Sequence, residues 1–207
     1  CLKEVKVIIP KNSMLNPIFP SPVVAGNVET SQSLIDILNA SIGIQAACYG
    51  TMNNITFGDA KFGYYETICG GEGASENNNG TDAVHCHMTN TSITDPEILE
   101  WNYPARIISF NIRKGSGGSG KWTGGNGTTR EIEFLKSLNV TMLSNRRKTK
   151  PFGLKGGSSG KKGINSIKKN NVKLILPDSC NFKVKSGDVL KIETPGGGGF
   201  GKKIINS

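Results

Sequence analysis

The two histidines of this chain, His85 and His87, lie two residues apart in the segment 82–91. Histidine is the side chain whose ordinary pKa lies closest to neutral pH, so this pair is a candidate for proton transfer. If the segment is a strand, alternation puts His85, His87, Thr89 and Thr91 on one face, which could bind a substrate or a metal ion. The alternative is a half-buried strand whose histidines hydrogen-bond neighbouring carbonyl groups.

Glu66 is a candidate acidic neighbour of the histidine pair. It alternates with Tyr64 and Ile68 on one face of a predicted strand, 63–68. A buried carboxylate needs a partner, so Glu66 is predicted to be either a ligand contact or half of an ion pair.

A metal site is geometrically possible at Asp82, His85 and His87, which lie within six residues. On a strand, however, Asp82 would point to the face opposite the histidines. We therefore expect no bound metal ion, and we expect the histidines to donate hydrogen bonds or to carry protons.

The elements that must position these residues are mostly strands, joined by turns that use the 27 glycines of this 207-residue chain. A helix is predicted over 30–42, with a stripe of apolar residues, and a short capped helix is predicted over 94–101. The sequence predicts an α+β fold that is predominantly β, with one clear amphipathic helix and many Gly-rich turns. The predicted strands are 5–9, 54–57, 63–68, 83–88, 106–112, 129–134, 140–143, 172–176 and 189–193.

A Gly-rich stretch, 114–127, predicts the domain organisation. It would connect a segment 1–113, which contains helix 30–42 and the candidate site strand 82–91, to a basic, β-rich segment 128–207. The stretch lacks the G-x-x-x-x-G-K-[ST] order of a phosphate-binding loop, so we expect no nucleotide site in it.

Charge is divided unevenly between the halves of the chain. Residues 1–105 carry 4 Lys or Arg and 11 Asp or Glu, a balance of −7, whereas residues 106–207 carry 21 and 5, a balance of +16. The basic half could be a solvated face with partner contacts, or it could bind an anion. No aromatic residues are interleaved with the charges, so we expect no nucleic-acid partner.

Cysteine usage and hydropathy predict a cytoplasmic origin. Five cysteines at irregular spacing are typical of free thiols rather than of a disulfide framework. No signal peptide is found, and no apolar run approaches the roughly 18 residues that cross a bilayer, so no membrane partner is expected. The start at Cys1 suggests a piece of a longer protein.

Seven groups of residues, taken together and in this order, resemble the carboxy-terminal part of hydantoinase B/5-oxoprolinase proteins, from about residue 16 to residue 201. The groups are 25–32, 50–54, 64–71, 82–91 with 94–97, 115–118, 146–147 with 151–153, and 194–199.

The resemblance implies ATP-dependent opening of a small cyclic amide such as a hydantoin or 5-oxoproline. It implies no cofactor in this chain, since ATP and Mg²⁺ are expected in a hydantoinase A-like ATPase subunit or domain. The other expected partner is the missing amino-terminal portion of the B part, where similar proteins would carry a His/Asp metal motif. The fragment alone is therefore expected to be inactive. Two alternatives stay open, namely a carboxylase subunit of the acetone or acetophenone type and a non-enzymatic, anion-binding scaffold module.

The resemblance also suggests where substrate would bind. The catalytic candidates are His85, His87 and Glu66, and the substrate-binding candidates are Asn90, Thr91, Asn53 and Asn54.

Overall fold

The computed structural model describes residues 6–23 and 26–203, and these residues form two helices and two antiparallel sheets. This architecture confirms the predicted α+β class. Neither described helix is long and apolar enough to cross a membrane. The helices are α1 (Gly26–Ser41) and α2 (Pro96–Asn102), and the strands are β1 (Asn53–Gly58), β2 (Gly63–Thr67), β3 (Ala105–Ile112), β4 (Thr128–Phe134), β5 (Leu138–Ser144), β6 (Ile164–Lys169), β7 (Val172–Leu176), β8 (Ser179–Val184) and β9 (Val189–Glu193).

Both sheets take strands from either side of the Gly-rich stretch 114–127. The four-stranded sheet has the order β2-β1-β5-β8, and the five-stranded sheet has the order β3-β4-β9-β6-β7. The pairs β1–β5 and β3–β4 each join a strand before the stretch to a strand after it.

A single apolar cluster joins the two sheets. Strands β4 and β5 bury alternate residues, which is the pattern of a strand with one face on a core. Phe57 on β1 meets Phe134 on β4 edge to face, with ring centroids 5.5 Å apart. The sheets are therefore held together by burial of apolar side chains from both.

Seven of the nine predicted strands are confirmed, within a residue or two at their ends. Strands β6 and β8 were not predicted. Strand β6 has only two apolar residues, and β8 alternates polar and apolar residues but contains a single β-branched residue, Val184. The predicted strand 5–9 is wrong where the structure describes it, since residues 6–9 are irregular, and Val5 lies outside the described residues. The predicted strand 83–88 is also wrong.

Helix α1 turns its polar side towards the body of the protein. The helix was predicted over 30–42, and in the structure it begins earlier, at Gly26. Its fully buried residues are Gln32 and Asp36, whereas Ile37 and Leu38 of the apolar stripe are more than half exposed. The stripe therefore does not face the core described above. A buried carboxylate on this helix requires partners, and these lie at the candidate site.

Glycine-rich segments pack backbone against backbone beside the sheets. Gly125 N–H donates to Glu72 O at 2.8 Å, and Gly197 N–H donates to Gly125 O at 2.9 Å. A Cβ atom at Gly197 would lie 1.8 Å from Glu72 O, and one at Gly71 would lie 2.0 Å from Gly125 O. Only glycine permits this approach, because any side chain would separate the hydrogen-bonded backbones.

Replacement of Gly197 by alanine is expected to destabilise the protein by about 3 kcal/mol or more, because the new methyl group meets backbone atoms that cannot move independently. Gly63→Ala is the matched control, since open space surrounds that position, and we expect a change below about 1 kcal/mol. Urea unfolding followed by circular dichroism measures both variants. Equal stability of the two variants would contradict this view of the packing.

Candidate functional site

The segment that carries both histidines is a turn rather than a strand. Ala83 and His87 adopt left-handed backbone conformations, with φ of 51° and 53°, which interrupt any regular extension. Only Val84 makes a strand-like bridge, to Gly70. The two histidines therefore do not share one face.

The turn is held by hydrogen bonds from Thr89 to Cys86. The Thr89 N–H and hydroxyl both donate to Cys86 O, at 3.0 and 2.8 Å, and the hydroxyl also hydrogen-bonds the buried Tyr49 phenol. Since Thr89 is buried, these bonds fix the conformation of residues 86–89 and hence the position of His87.

His85 lies on the Thr91 side of the turn. Its Nε2 is 3.3 Å from Thr91 Oγ1, and burial of the half-buried ring lowers its pKa. Its Nδ1 has no hydrogen-bond partner among the described residues. Thr91 also donates a 3.5 Å hydrogen bond to Thr67 O, so this part of the loop lies against β2.

His87 lies instead against Cys48. Its Nε2 is 3.6 Å from Cys48 Sγ, and the same sulfur accepts a 3.4 Å hydrogen bond from Gly73 N–H. Hydrogen bonds from Cys86, His87 and Gly73 lower the pKa of the Cys48 thiol to about 6, although burial opposes the shift. The hydrogen bond with Cys48 in turn raises the pKa of His87. The pair therefore favours a thiolate beside an imidazolium.

Asp36 of α1 completes this cluster. One carboxylate oxygen accepts from Cys48 N–H at 3.1 Å, and the other forms a 3.0 Å ion pair with Arg146. Burial raises the pKa of Asp36, while the backbone hydrogen bond and Arg146 act in the opposite direction. The polar side of α1 faces inward because it supplies this carboxylate.

A second residue of α1 holds the histidine turn. Gln32 Oε1 accepts a 3.0 Å hydrogen bond from Met88 N–H, directly after His87 in the chain. The helix and the turn are therefore linked by one buried amide as well as by the Asp36 cluster.

Glu66 is half of a buried ion pair, one of the two roles that its sequence context allowed. Its carboxylate contacts Arg130 Nε at 3.0 Å, and Arg130 Nη2 donates to its other oxygen at 3.2 Å. Thr94 N–H also donates to Glu66, at 3.2 Å, which attaches the end of the histidine loop to β2. Both charged side chains are almost completely buried, and the hydrogen bonds of the Glu66 carboxylate are to Arg130 and Thr94 rather than to either histidine.

The other predicted site residues are divided between the loop and the sheet. Asn90 and Thr91 are exposed on the loop. Asn53 is buried on β1, where its Oδ1 accepts a 2.6 Å hydrogen bond from Arg147. Asn54 is also buried, and it pairs in register with Thr67, the residue that Thr91 contacts.

Asp82 hydrogen-bonds Asn126 rather than either histidine. Its Oδ1 accepts a 2.6 Å hydrogen bond from Asn126 N–H and its carboxylate also contacts the Asn126 amide. The ligand set Asp82, His85 and His87 that the sequence suggested is therefore not assembled.

Comparisons with known proteins agree with the motifs in the sequence. A sequence profile described as Hydantoinase B/oxoprolinase matches residues 1–203. The chain belongs to the hydantoinase B/oxoprolinase family. It is 51% identical over 204 residues to a 5-oxoprolinase from Dictyostelium discoideum and 48% identical over 205 residues to 5-oxoprolinase 1 from Arabidopsis thaliana. These alignments cover 98% and 99% of this chain but 16% of either relative.

A solved structure confirms the fold of this family member. The crystal structure of an ATP-dependent caprolactamase from Pseudomonas jessenii superposes with a TM-score of 0.78 at 22% identity. The match covers 90% of this chain and 36% of that one.

Three N–H groups of the glycine-rich segments are already hydrogen-bonded to backbone. The N–H groups of Gly118, Gly125 and Gly197 already donate to backbone carbonyls of neighbouring segments. A phosphate loop needs free N–H groups, so these three N–H groups are not available to a phosphate.

Sequence reasoning missed Asp36, Cys48 and Arg146. Asp36 was hidden within an apolar helical stripe, and Cys48 and Arg146 lie far from the histidines along the chain. Asp36 could have been recognised from the sequence, because it is the single charged residue in the predicted helix 30–42. An isolated acid at such a position needs a partner if it is buried.

Replacement of Arg130 by methionine is expected to lower the free energy of unfolding by about 3 to 5 kcal/mol, because Glu66 is then buried without its counter-ion. Arg106→Met is the matched control, since Arg106 is more than half exposed in its ion pair with Glu133, and loss of that pair should cost less than about 1 kcal/mol. Urea unfolding provides the measurement. The double variant Glu66→Met with Arg130→Met should recover part of the loss, and a single variant as stable as the control would refute the assignment.

Proposed function

We propose that this chain is part of an ATP-dependent hydrolase that opens small cyclic amides, with 5-oxoproline as the leading substrate. The observation that carries the proposal is 51% identity to a 5-oxoprolinase over nearly the whole chain. The structural neighbour named as an ATP-dependent caprolactamase supports a lactam as the substrate class.

Ring opening has a chemical requirement that the histidine loop can meet. A resonance-stabilised amide resists attack by water, and negative charge develops on its oxygen as the carbonyl carbon becomes tetrahedral. Fixed hydrogen-bond donors aimed at that oxygen lower the barrier. We propose that the loop carrying His85, Asn90 and Thr91 presents donors of this kind.

The contacts of the loop support this role. Thr91 hydrogen-bonds His85 and β2, and Thr94 is attached to the buried Glu66 carboxylate. The exposed Asn90 directly precedes the first of these two anchors in the chain. Polar groups on a loop with such anchors need little reorganisation when charge develops on a substrate.

In this proposal Glu66, Asn53 and Asn54 act indirectly. Glu66 and Arg130 hold the end of the loop, and Asn53 with Arg147 belongs to the packing of β1. ATP and Mg²⁺ are expected to bind outside this chain, in a hydantoinase A-like ATPase subunit or domain.

The test uses the complete protein that contains this chain. Purified protein is incubated with ATP, Mg²⁺ and 5-oxoproline, caprolactam or hydantoin, and the ring-opened product and ADP are measured together. We expect stoichiometric release of ADP and product from 5-oxoproline. Failure to hydrolyse any of the three lactams would refute the proposal, and ATP-dependent incorporation of labelled bicarbonate into a ketone would instead identify a carboxylase.

His85→Ala is expected to lower kcat about 100-fold with a smaller effect on KM, because one donor to the developing charge is lost. Lys173→Ala, on the exposed strand β7, is the control and should retain the wild-type kcat. An unchanged kcat in His85→Ala would show that the loop does not contribute donors to the reaction.

A further inference from the structure

Three potential metal ligands converge beside the histidine turn. A carboxylate oxygen of Asp36, Cys48 Sγ and a ring nitrogen of His87 all lie within 4.8 Å of one another. They come from α1, from the segment that precedes β1, and from the turn 86–89. Residues so far apart in sequence meet here only because the chain folds them together.

The spacing of the sulfur and the nitrogen fits a tetrahedral ion. Zinc bonds of about 2.3 Å to sulfur and about 2.0 Å to an imidazole nitrogen, at the tetrahedral angle, place the two ligand atoms about 3.5 Å apart. The distance from Cys48 Sγ to His87 Nε2 is 3.6 Å. An ion can therefore be shared by these two atoms with little movement of either.

The third ligand is a buried carboxylate with remaining capacity. Asp36 accepts one hydrogen bond from Cys48 N–H and one ion pair from Arg146. A carboxylate has about four lone-pair sites, so these contacts orient Asp36 without exhausting it. Arg146 neutralises one of the two negative charges that a thiolate and a carboxylate would bring to a divalent ion.

Groups around the three ligands hold them in place. Gly73 N–H donates to Cys48 Sγ, and Gln32 accepts from Met88 N–H beside His87. His87 itself has the left-handed φ of 53°, an unusual conformation for a histidine, which the buried Thr89 contacts maintain. Outer contacts of this kind orient metal ligands in known sites.

We propose that Asp36, Cys48 and His87 bind one zinc ion, with water at the fourth position. Sulfur, imidazole and carboxylate together are a ligand set that zinc accepts, whereas Mg²⁺ and Ca²⁺ prefer oxygen ligands. His87 is exposed, which gives the ion a path from solvent. Three protein ligands with one open position are typical of zinc sites that bind a further ligand rather than of closed structural sites.

This set differs from the one that the sequence suggested. The sequence offered Asp82, His85 and His87 as ligands, and we expected that they bind no ion. In the structure Asp82 contacts Asn126, and His85 contacts Thr91. Only His87 belongs to both sets.

The first test measures zinc directly in the complete protein, purified from zinc-supplemented culture and dialysed against metal-free buffer. Elemental analysis should give one more equivalent of zinc in the wild type than in Cys48→Ser or His87→Asn. The matched controls are His85→Asn, in the same loop, and Cys180→Ser, a free thiol on β8, and both should retain the wild-type content. Equal zinc content in all five proteins would overturn the proposal.

The second test begins with a readout on the wild-type protein, which does not depend on how well any variant folds. Replacement of zinc by Co²⁺ in the wild-type protein should produce a thiolate-to-cobalt charge-transfer band in the near ultraviolet, which Cys180→Ser retains and Cys48→Ser loses. Absence of the band from cobalt-loaded wild type, or its persistence in Cys48→Ser, would overturn the proposal. Neither test measures lactam hydrolysis, so the zinc site and the proposed reaction can fail independently.

Discussion

Close contact between glycine-rich backbones is the constraint on which the rest of this structure depends. Gly71, Gly125 and Gly197 bring three chain segments so close that a single methyl group would collide with a carbonyl oxygen. The N–H group of each glycine then donates to a carbonyl oxygen of a neighbouring segment, as buried backbone groups must find a partner. The same segments carry Gly73, whose N–H donates to Cys48 Sγ, so the packing reaches the candidate site directly.

The candidate site lies between these glycine-rich segments and helix α1, whose polar side faces the interior. Burial of Asp36 would be unfavourable without partners, and Arg146 with the Cys48 N–H supplies them. Gln32 then fixes the turn that carries His87. On the other side of the turn, the buried pair of Glu66 and Arg130 anchors the loop to β2 through Thr94. The two histidines therefore lie in different environments, His87 beside Cys48 and His85 beside Thr91.

Local patterns in the sequence predicted what local physics determines. β-Branched residues and turn-forming boundaries predicted β4 and β5, and the string 94–97 predicted the capped start of α2, where Asp95 is the cap. The predicted strand 83–88 is wrong because Ala83 and His87 have left-handed backbone conformations, which their side chains do not indicate. Long-range features escaped prediction for a different reason. The meeting of Asp36, Cys48 and His87 depends on how the glycine-rich segments pack, which no local pattern encodes.

Hydrogen exchange of the glycine amides tests the central role of this packing most directly. If the backbones form one interior unit, the amides of Gly71, Gly125 and Gly197 should exchange as slowly as those of the buried strands β4 and β9, because all require global unfolding. The amide of Ser186, an exposed residue between β8 and β9, provides the loop reference within the same spectra. Glycine amides that exchange as fast as this loop reference would contradict the account.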